Sequence, residues 1–375
     1  MILEEIQIER FRSLKSVTWK PGRLNVLIGP NGGGKSNILA ALSLLRTSAD
    51  GGLRKAVLKQ GGISALAWNG EDNWICLYLR ATHTGDQSIF DYRLALEHVG
   101  SSGLYLIAGE KLTSGGSDLI DRNPLNSADS LETLLSTYRG VPEGRFLPIG
   151  RFVERKAADE FASFARAWAV YQGIHVEADS EIRRPAVTRF EKRVDSDGQN
   201  LIPVLHTLYE SERQFEDLVD SAMSSAFVDY EKLRFPAAAD GRIQLQVRKK
   251  KRIDSAANLS DGTLRFLLLL AIIGNPDPDP IIALDEPETG LHPRMMSIIA
   301  SVAADASTRC QVIFTTHSPQ FLDAFSKDDP PTTTVVTSNG CETELKTIGG
   351  DRLRKWVEDY SLGKFAFSGE AEAVL

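Results

Sequence analysis

The chain has 375 residues, 42% hydrophobic and 25% charged, with a formal net charge of −7 at pH 7. This is ordinary globular composition for one large domain or two to three lobes. It excludes a transmembrane helix, since no run of about 18 apolar residues occurs, and it requires any nucleic-acid contact to come from a local patch rather than a global field.

In chain order, the N-terminus (Met1 to Glu5) lacks the basic start and small-residue cleavage site of a signal peptide. Ile2 to Ile8 and Leu24 to Ile28 read as short strands, the second running into Ile28-Gly29-Pro30-Asn31-Gly32-Gly33-Gly34-Lys35-Ser36. That stretch fits the phosphate-binding template G-x-x-x-x-G-K-[ST]. Its glycines let the backbone wrap phosphate oxygens where a Cβ would clash. The helix predicted to start at Lys35 offers free N–H groups and a favourable dipole, with Ile38, Leu39, Leu42 and Leu45 on one buried face. Asn31, Gly32, Gly33, Gly34, Lys35, Ser36 and Asn37 are therefore ATP-binding candidates, Lys35 reaching the β- and γ-phosphates and Ser36 ligating Mg²⁺.

Between Ala65 and Leu106, β-rich pieces alternate with Gly-, Asp- and Ser-containing turns, predicting an antiparallel meander. From about Ser114 to Phe235 the chain reads as a helical insert, with helices over Ser127 to Tyr138, Val153 to Tyr171 and Leu201 to Tyr230 and no sustained heptad. Arg248-Lys249-Lys250-Lys251-Arg252 follows. Such a run is either a solvated loop or a sequence-independent contact to nucleic-acid phosphates. The last third returns to α/β alternation, with strands at Ile243 to Val247, Ile281 to Leu284, Gln311 to Thr315 and Thr333 to Thr337. The expected divisions are 1–113 and 236–375 as two parts of one α/β head, with 114–235 as the insert.

Ile281-Ile282-Ala283-Leu284-Asp285-Glu286-Pro287 places two carboxylates at the end of a buried strand, where α/β sheets put ligands. Asp285 suits Mg²⁺ and Glu286 suits a general base. Leu259-Ser260-Asp261-Gly262-Thr263 precedes an apolar helix, Leu264 to Ile273, too short to span a bilayer; Ser260 or Asp261 would cap it. Cys76, Cys310 and Cys341 form no C-x-x-C pair, which predicts a reducing cytoplasm without disulfide framework or zinc site.

Together these motifs resemble ABC-type ATPases. Leu259 to Thr263, 25 residues before Asp285 counted from Ser260, resembles the L-S-G-G-Q signature. The resemblance implies that Ser260 and Gly262 grip the γ-phosphate of ATP held by a second copy. Pro287 to Pro293 resembles the D-loop, with Pro293 suited to a helix's first position, and Thr315-Thr316-His317-Ser318-Pro319 resembles the switch-histidine segment. Catalytic roles are thus expected of Lys35, Glu286 and His317. The gap of 225 residues between Lys35 and Ser260, and the opening Ile8-Glu9-Arg10-Phe11-Arg12-Ser13-Leu14, resemble RecF/SMC-like heads, in which Arg12 lies near the nucleotide. The missing coiled coil and hook argue against SMC and zinc-hook members. The 58 residues after His317 argue against OLD nucleases, which carry a TOPRIM-like region.

Asp197-Gly198-Gln199-Asn200-Leu201, the Leu259 to Phe266 stretch, the Asp285 to Pro293 block and Trp356 to Gly363 are similar to predicted bacterial ATPases of the AAA type. Relatives of that group often sit beside effectors in phage-defence or toxin-like modules. The resemblance implies an α/β ABC-type P-loop head with a β-meander and helical insert, using ATP and Mg²⁺, closing as a head-to-head homodimer with an effector or DNA as partner. A RecF-type DNA-repair clamp and a non-hydrolysing scaffold are the alternatives. Asp261 stands where transporter ATPases have glycine, and Arg265 at i+4 is expected to offset its charge, giving slower hydrolysis. The tail Phe365 to Leu375 diverges from the group's usual glycine-rich ending. No pattern singles out a Q-loop glutamine; Gln172, after a predicted helix and before Gly173, is a candidate.

Overall fold

The computed structural model describes residues 1–68, 74–100, 103–122, 131–138 and 155–348. In chain order the elements are β1 (Ile2–Phe11), β2 (Leu14–Trp19), β3 (Leu24–Ile28), α1 (Lys35–Ala49), α2 (Leu53–Lys59), α3 (Ile63–Leu66), β4 (Trp74–Thr82), β5 (Ile89–Val99), β6 (Leu104–Ser114), β7 (Ser117–Arg122), α4 (Arg155–Arg166), β8 (Ala169–Tyr171), β9 (Ala186–Val187), α5 (Leu201–Ser211) and α6 (Arg213–Ala226). There follow β10 (Tyr230–Arg234), β11 (Arg242–Ile243), β12 (Gln246–Lys249), β13 (Ile253–Ser255), α7 (Asp261–Ile273), β14 (Ile281–Asp285), α8 (Pro293–Ala306), β15 (Gln311–Thr316), α9 (Pro319–Leu322), β16 (Thr332–Ser338) and β17 (Thr343–Ile348). They fall into two compact units, one of Met1–Trp168 with Thr332–Ile348, the other, among the described residues, Ala169–Pro331.

The first unit holds the expected meander, an antiparallel sheet in the order β2-β1-β4-β5-β6-β7. Along β5, Phe90, Tyr92, Leu94 and Leu96 alternate inward with period two. Phe161 of α4 packs on that face, its ring 5.7 Å from Phe90 and 5.6 Å from Tyr92. Beside it, β3 pairs parallel with β16, which pairs antiparallel with β17. Helix α1 begins at Lys35 as its periodicity predicts, but it buries Ala40, Ala41 and Leu44 as well as Ile38, Leu39, Leu42 and Leu45. The single buried face expected from sequence is widened because α2, α4 and β1 all pack on this helix.

The second unit is built on three parallel strands, β8 and β15 flanking β14. Helix α7 is almost wholly buried, as its apolar run requires. The strands β10, β12 and β13 form a small antiparallel sheet.

Several expectations shift. The helix predicted over Val153 to Tyr171 is α4 only to Arg166; Ala169 to Tyr171 is strand, because its backbone pairs with Ile282 to Leu284. Tertiary pairing overrides local propensity there. The Ser127 to Tyr138 helix is, within its described part, a short 3₁₀ turn at Leu135–Tyr138. The buried Glu110 carboxylate accepts from the N–H groups of Leu134 at 2.6 Å and Leu135 at 2.8 Å at the start of that turn. The meander runs past residue 113 through β6 and β7, and the compact units divide at 168 and 331 rather than at 113 and 235. The tail motif Trp356 to Gly363 and the ending Phe365 to Leu375 lie outside the described residues. Among the described residues no helix is long and apolar enough to cross a membrane.

Candidate nucleotide site

The glycine-rich loop leaves β3 and ends at α1 in the first unit. Gly32 and Gly34 take positive φ of 79° and 105°, the left-handed region that favours glycine. Gly34 is the N-cap of α1 and supplies no side-chain cap, so nothing of its own competes at the helix start. The loop is held from behind. A Cβ on Gly34 would lie 2.1 Å from Thr343 Oγ1, and one on Gly29 would lie 1.9 Å from the Val336 carbonyl. Lys35 is buried, and its Nζ donates to the carbonyls of Gly29 at 2.8 Å and Pro30 at 2.9 Å. Asn31, Gly32 and Ser36 are exposed.

Arg12 sits in the turn between β1 and β2 with a positive φ of 52°, a conformation rare for non-glycine residues. Its guanidinium donates to Asn37 Oδ1 at 3.2 Å and Gln60 Oε1 at 2.5 Å, and burial lowers its pKa. Asn37 Nδ2 donates to Ser13 Oγ at 2.8 Å; Ser13 Oγ lies 2.7 Å from Thr343 Oγ1, which donates to the Gly33 carbonyl at 3.1 Å. Arg12 is thus joined to the phosphate loop through the first turn of α1. Ser13 and Thr343 tie this loop to the β16–β17 hairpin; Ser13 lies inside the Ile8 to Leu14 opening without an assigned role, and Thr343 carries no sequence signal. Thr343 is reached across 310 positions.

In the second unit, Asp285 ends β14 and Glu286 follows it with φ 45°. The Glu286 N–H donates to the Thr315 carbonyl at 3.2 Å and Thr315 Oγ1 at 3.1 Å, while the Thr315 hydroxyl donates to Asp285 Oδ1. Glu286 Oε1 lies 3.0 Å from His317 Nδ1, and this pair is partly open to solvent. Behind it Glu288 is buried and accepts from Thr316 Oγ1, whose oxygen in turn accepts from the Ser318 N–H at 2.9 Å. Burial pushes the Glu288 carboxyl above the usual carboxylate range, with Glu286 adding to the rise and the Thr316 hydrogen bond and His317 opposing it. Both threonines and Glu288 lie inside motifs noted for their neighbours, so their signal was present but unassigned.

Ser260 caps α7, its Oγ accepting from Thr263 N–H at 3.2 Å, and Ser260 and Asp261 are exposed. A Cβ on Gly262 would lie 2.5 Å from the Gly290 carbonyl, so the signature turn packs directly on the D-loop-like turn. Pro293 opens α8 after the cap His292, as its residue type predicts. Gln172 follows a strand, not a helix, and leaves β8 level with Asp285 on β14. Arg265 does not offset Asp261 by a hydrogen bond: its Nη2 donates to the Ile174 carbonyl at 3.1 Å, and Arg183 takes the Asp261 carboxylate instead. The basic run lies on β12 and its turn to β13, with Arg248 paired to Glu231 at 2.8 Å and both Lys249 and Arg252 paired to Asp254 at 3.1 Å. Lys250 and Lys251 are exposed at the turn.

The sequence matches, over residues 24–73 and 85–323, the family described as AAA domain, putative AbiEii toxin, Type IV TA system. The chain belongs to this family. It is also 23% identical over 349 residues to the OLD nuclease of Thermus scotoductus (strain ATCC 700910 / SA-01), spanning 86% of this chain and 60% of that protein. The OLD nucleases, disfavoured above by the short stretch after His317, are therefore similar to this chain over most of its length, while the chain spans 60% of that relative. Among solved structures, the SMC head bound to the C-winged helix domain of ScpA superposes with a TM-score of 0.61 at 12% identity, covering 95% of this chain and all of its own (100%). The Pyrococcus furiosus Smc head with an extended coiled coil, bound to the C-terminal domain of ScpA, gives 0.57 at 11% identity, covering 96% and 99%. The fold is that of an ABC-type ATPase head, RecF/SMC-like, of mixed α/β content with an antiparallel meander.

Proposed function

We propose that this protein hydrolyses ATP between two copies of itself, as a nucleotide-gated dimer switch. The proposal joins the two sets of residues on one nucleotide by the order of their motifs. Asn31 to Asn37 and Arg12 surround the phosphates, with Lys35 on the β- and γ-groups. Ser36 and Asp285 suit Mg²⁺, being a hydroxyl and a strand-end carboxylate of the oxygen type that ion takes. Bound Mg²⁺ would neutralise charge on the β- and γ-phosphates. Glu286 takes a proton from water as its oxygen attacks the γ-phosphorus and the bond to the ADP oxygen breaks, giving ADP and phosphate. His317 contacts the transferred group, and Ser260 and Gly262 of the second copy close the pocket through the open end of their helix.

The observation that carries this reading is the Glu286–His317 pair at 3.0 Å, with Glu286 held in a left-handed conformation by Thr315. Strained, over-determined backbone of this kind concentrates at working sites. Glu286→Gln is expected to slow phosphate release at least about a hundredfold, the usual scale for losing a general base, and to trap an ATP-bound dimer in size-exclusion chromatography. Ser260→Arg is expected to abolish hydrolysis while the monomer still binds ATP, and the wild-type rate per subunit should rise with protein concentration. Normal hydrolysis by Ser260→Arg overturns the two-copy site.

The biological setting we propose is the ATPase of a bacterial defence or toxin-like module in the cytoplasm, with an effector protein as partner; the family's description and the resemblance noted above support it, and co-purification with an effector tests it. A DNA clamp is the second reading, favoured by Lys250, Lys251 and Arg252 clustered at one exposed turn. It requires hydrolysis stimulated by DNA without a partner, lost when Arg248, Lys249, Lys250, Lys251 and Arg252 are all neutralised.

A further inference from the structure

The signature turn carries an acid where an anion is to be received. Asp261 is the first residue of α7, and its side chain is 61% exposed beside Ser260. A carboxylate there favours the helix dipole but repels a phosphate approaching the same N–H groups. The residue that answers it is Arg183, 78 positions earlier, whose side chain is only 8% exposed.

Every nitrogen of that guanidinium is committed. Nε donates to the carbonyls of Val176 at 3.0 Å and Glu177 at 2.9 Å. Nη1 donates to the Leu259 carbonyl at 2.7 Å, with the Ala256 carbonyl at 3.4 Å, and Nη2 donates to Asp261 Oδ1. The fork therefore holds the approach to the signature, its first helical residue and the segment after Gln172 in one plane. A lysine has a single point charge and no such fork. Arg265, one turn along α7, donates to the Ile174 carbonyl of the same segment and acts on Asp261 only through space, so two arginines fasten the start of α7 there and Arg183 makes the hydrogen-bonded pair with the acid.

We infer that Arg183 is a positioning residue, which cancels the charge of Asp261 and holds the Ser260–Gly262 turn in the shape that receives a γ-phosphate. The inference rests on the two-copy site proposed above. It treats Asp261 and Arg183 as one neutral unit, so their substitutions must be strongly coupled.

The test is a double-mutant cycle on the full chain, read as steady-state ATPase with melting curves as a folding control. Arg183→Met is expected to cut the rate about tenfold or more, the scale of one charge-assisted hydrogen bond, and Asp261→Asn in the same chain to recover most of that loss. A wild-type rate in Arg183→Met, or a double variant as slow as Arg183→Met, overturns the inference. If Arg183→Met does not fold, Asp261→Asn alone decides: it leaves an uncancelled cation at the turn, so the KM for ATP should fall severalfold, and an unchanged or higher KM overturns the inference. Ser260→Arg run in parallel separates the two claims. Inactive Ser260→Arg beside active Arg183→Met sinks the role of Arg183 alone, whereas active Ser260→Arg sinks both.

Discussion

Two helices in this chain begin at glycine-bearing motifs, and they begin in opposite ways. Helix α1 starts from Gly34, in the left-handed region, with no side-chain cap. Helix α7 starts from Ser260 in extended backbone, and the Ser260 hydroxyl accepts the Thr263 N–H. Both starts carry the positive end of a helix dipole, but only the first is shaped by glycine alone. The second spends part of its donor set on itself and adds an acid, Asp261, matched by Arg183. On the proposed two-copy site, the start that would wrap phosphates keeps its own side chains away, and the start that would touch only the outermost phosphate keeps a cap and a charge pair.

Substitutions can break this contrast, and the largest effect is expected at α1. Lys35→Ala should remove ATP binding and lower hydrolysis at least about a hundredfold, the scale for one preorganised donor to developing charge, as read by equilibrium binding and phosphate release. Gly34→Ala forces a side chain into φ 105° and against Thr343 Oγ1. It should cost about 1–3 kcal/mol in thermal unfolding and abolish the rise in melting temperature with ATP. Ser260→Ala removes the cap of α7 and should cost about 1 kcal/mol, read from the same melts. If Ser260→Ala proved costlier than Gly34→Ala, the contrast between the two starts would fail.

The smallest effect concerns Glu288, the buried acid behind the Glu286–His317 pair. Burial raises the pKa of Glu288 in the folded chain above its unfolded value. The folded state then binds more protons in that interval, so the stability contributed by this group is full below the unfolded pKa and is lost as pH rises through the folded one. Glu288→Gln should flatten that decline in melts run between acid and neutral pH. An unchanged pH slope would show that Glu288 does not titrate late.

Local features were legible without coordinates. The strand, glycine loop and helix from Leu24 to Ala49 follow from period and glycine placement, and α7, β14 and β15 follow from apolar runs and their flanking polar residues. What could not be read were contacts across long sequence separation. Ala169 to Tyr171 has helix-compatible residues and becomes strand only because β14 offers a parallel edge. Asp261 has a plausible partner at i+4, yet pairs with a residue outside its helix, since Arg265 is drawn to the Ile174 carbonyl. The basic run looks like five free cations and is partly neutralised by Glu231 and Asp254.

The sequence by itself determined the chemistry at each point. Glycine where φ must be positive, lysine and serine at a helix start and paired acids at a strand end are local requirements, satisfied within a few residues. Only the tertiary structure decided which groups support them: Thr343 behind the loop, Thr315 beneath Glu286, Glu288 behind the switch and Arg183 on the signature. Those partners are chosen by where strands and turns come to lie, and that depends on the packing of the whole unit rather than on neighbours in the chain.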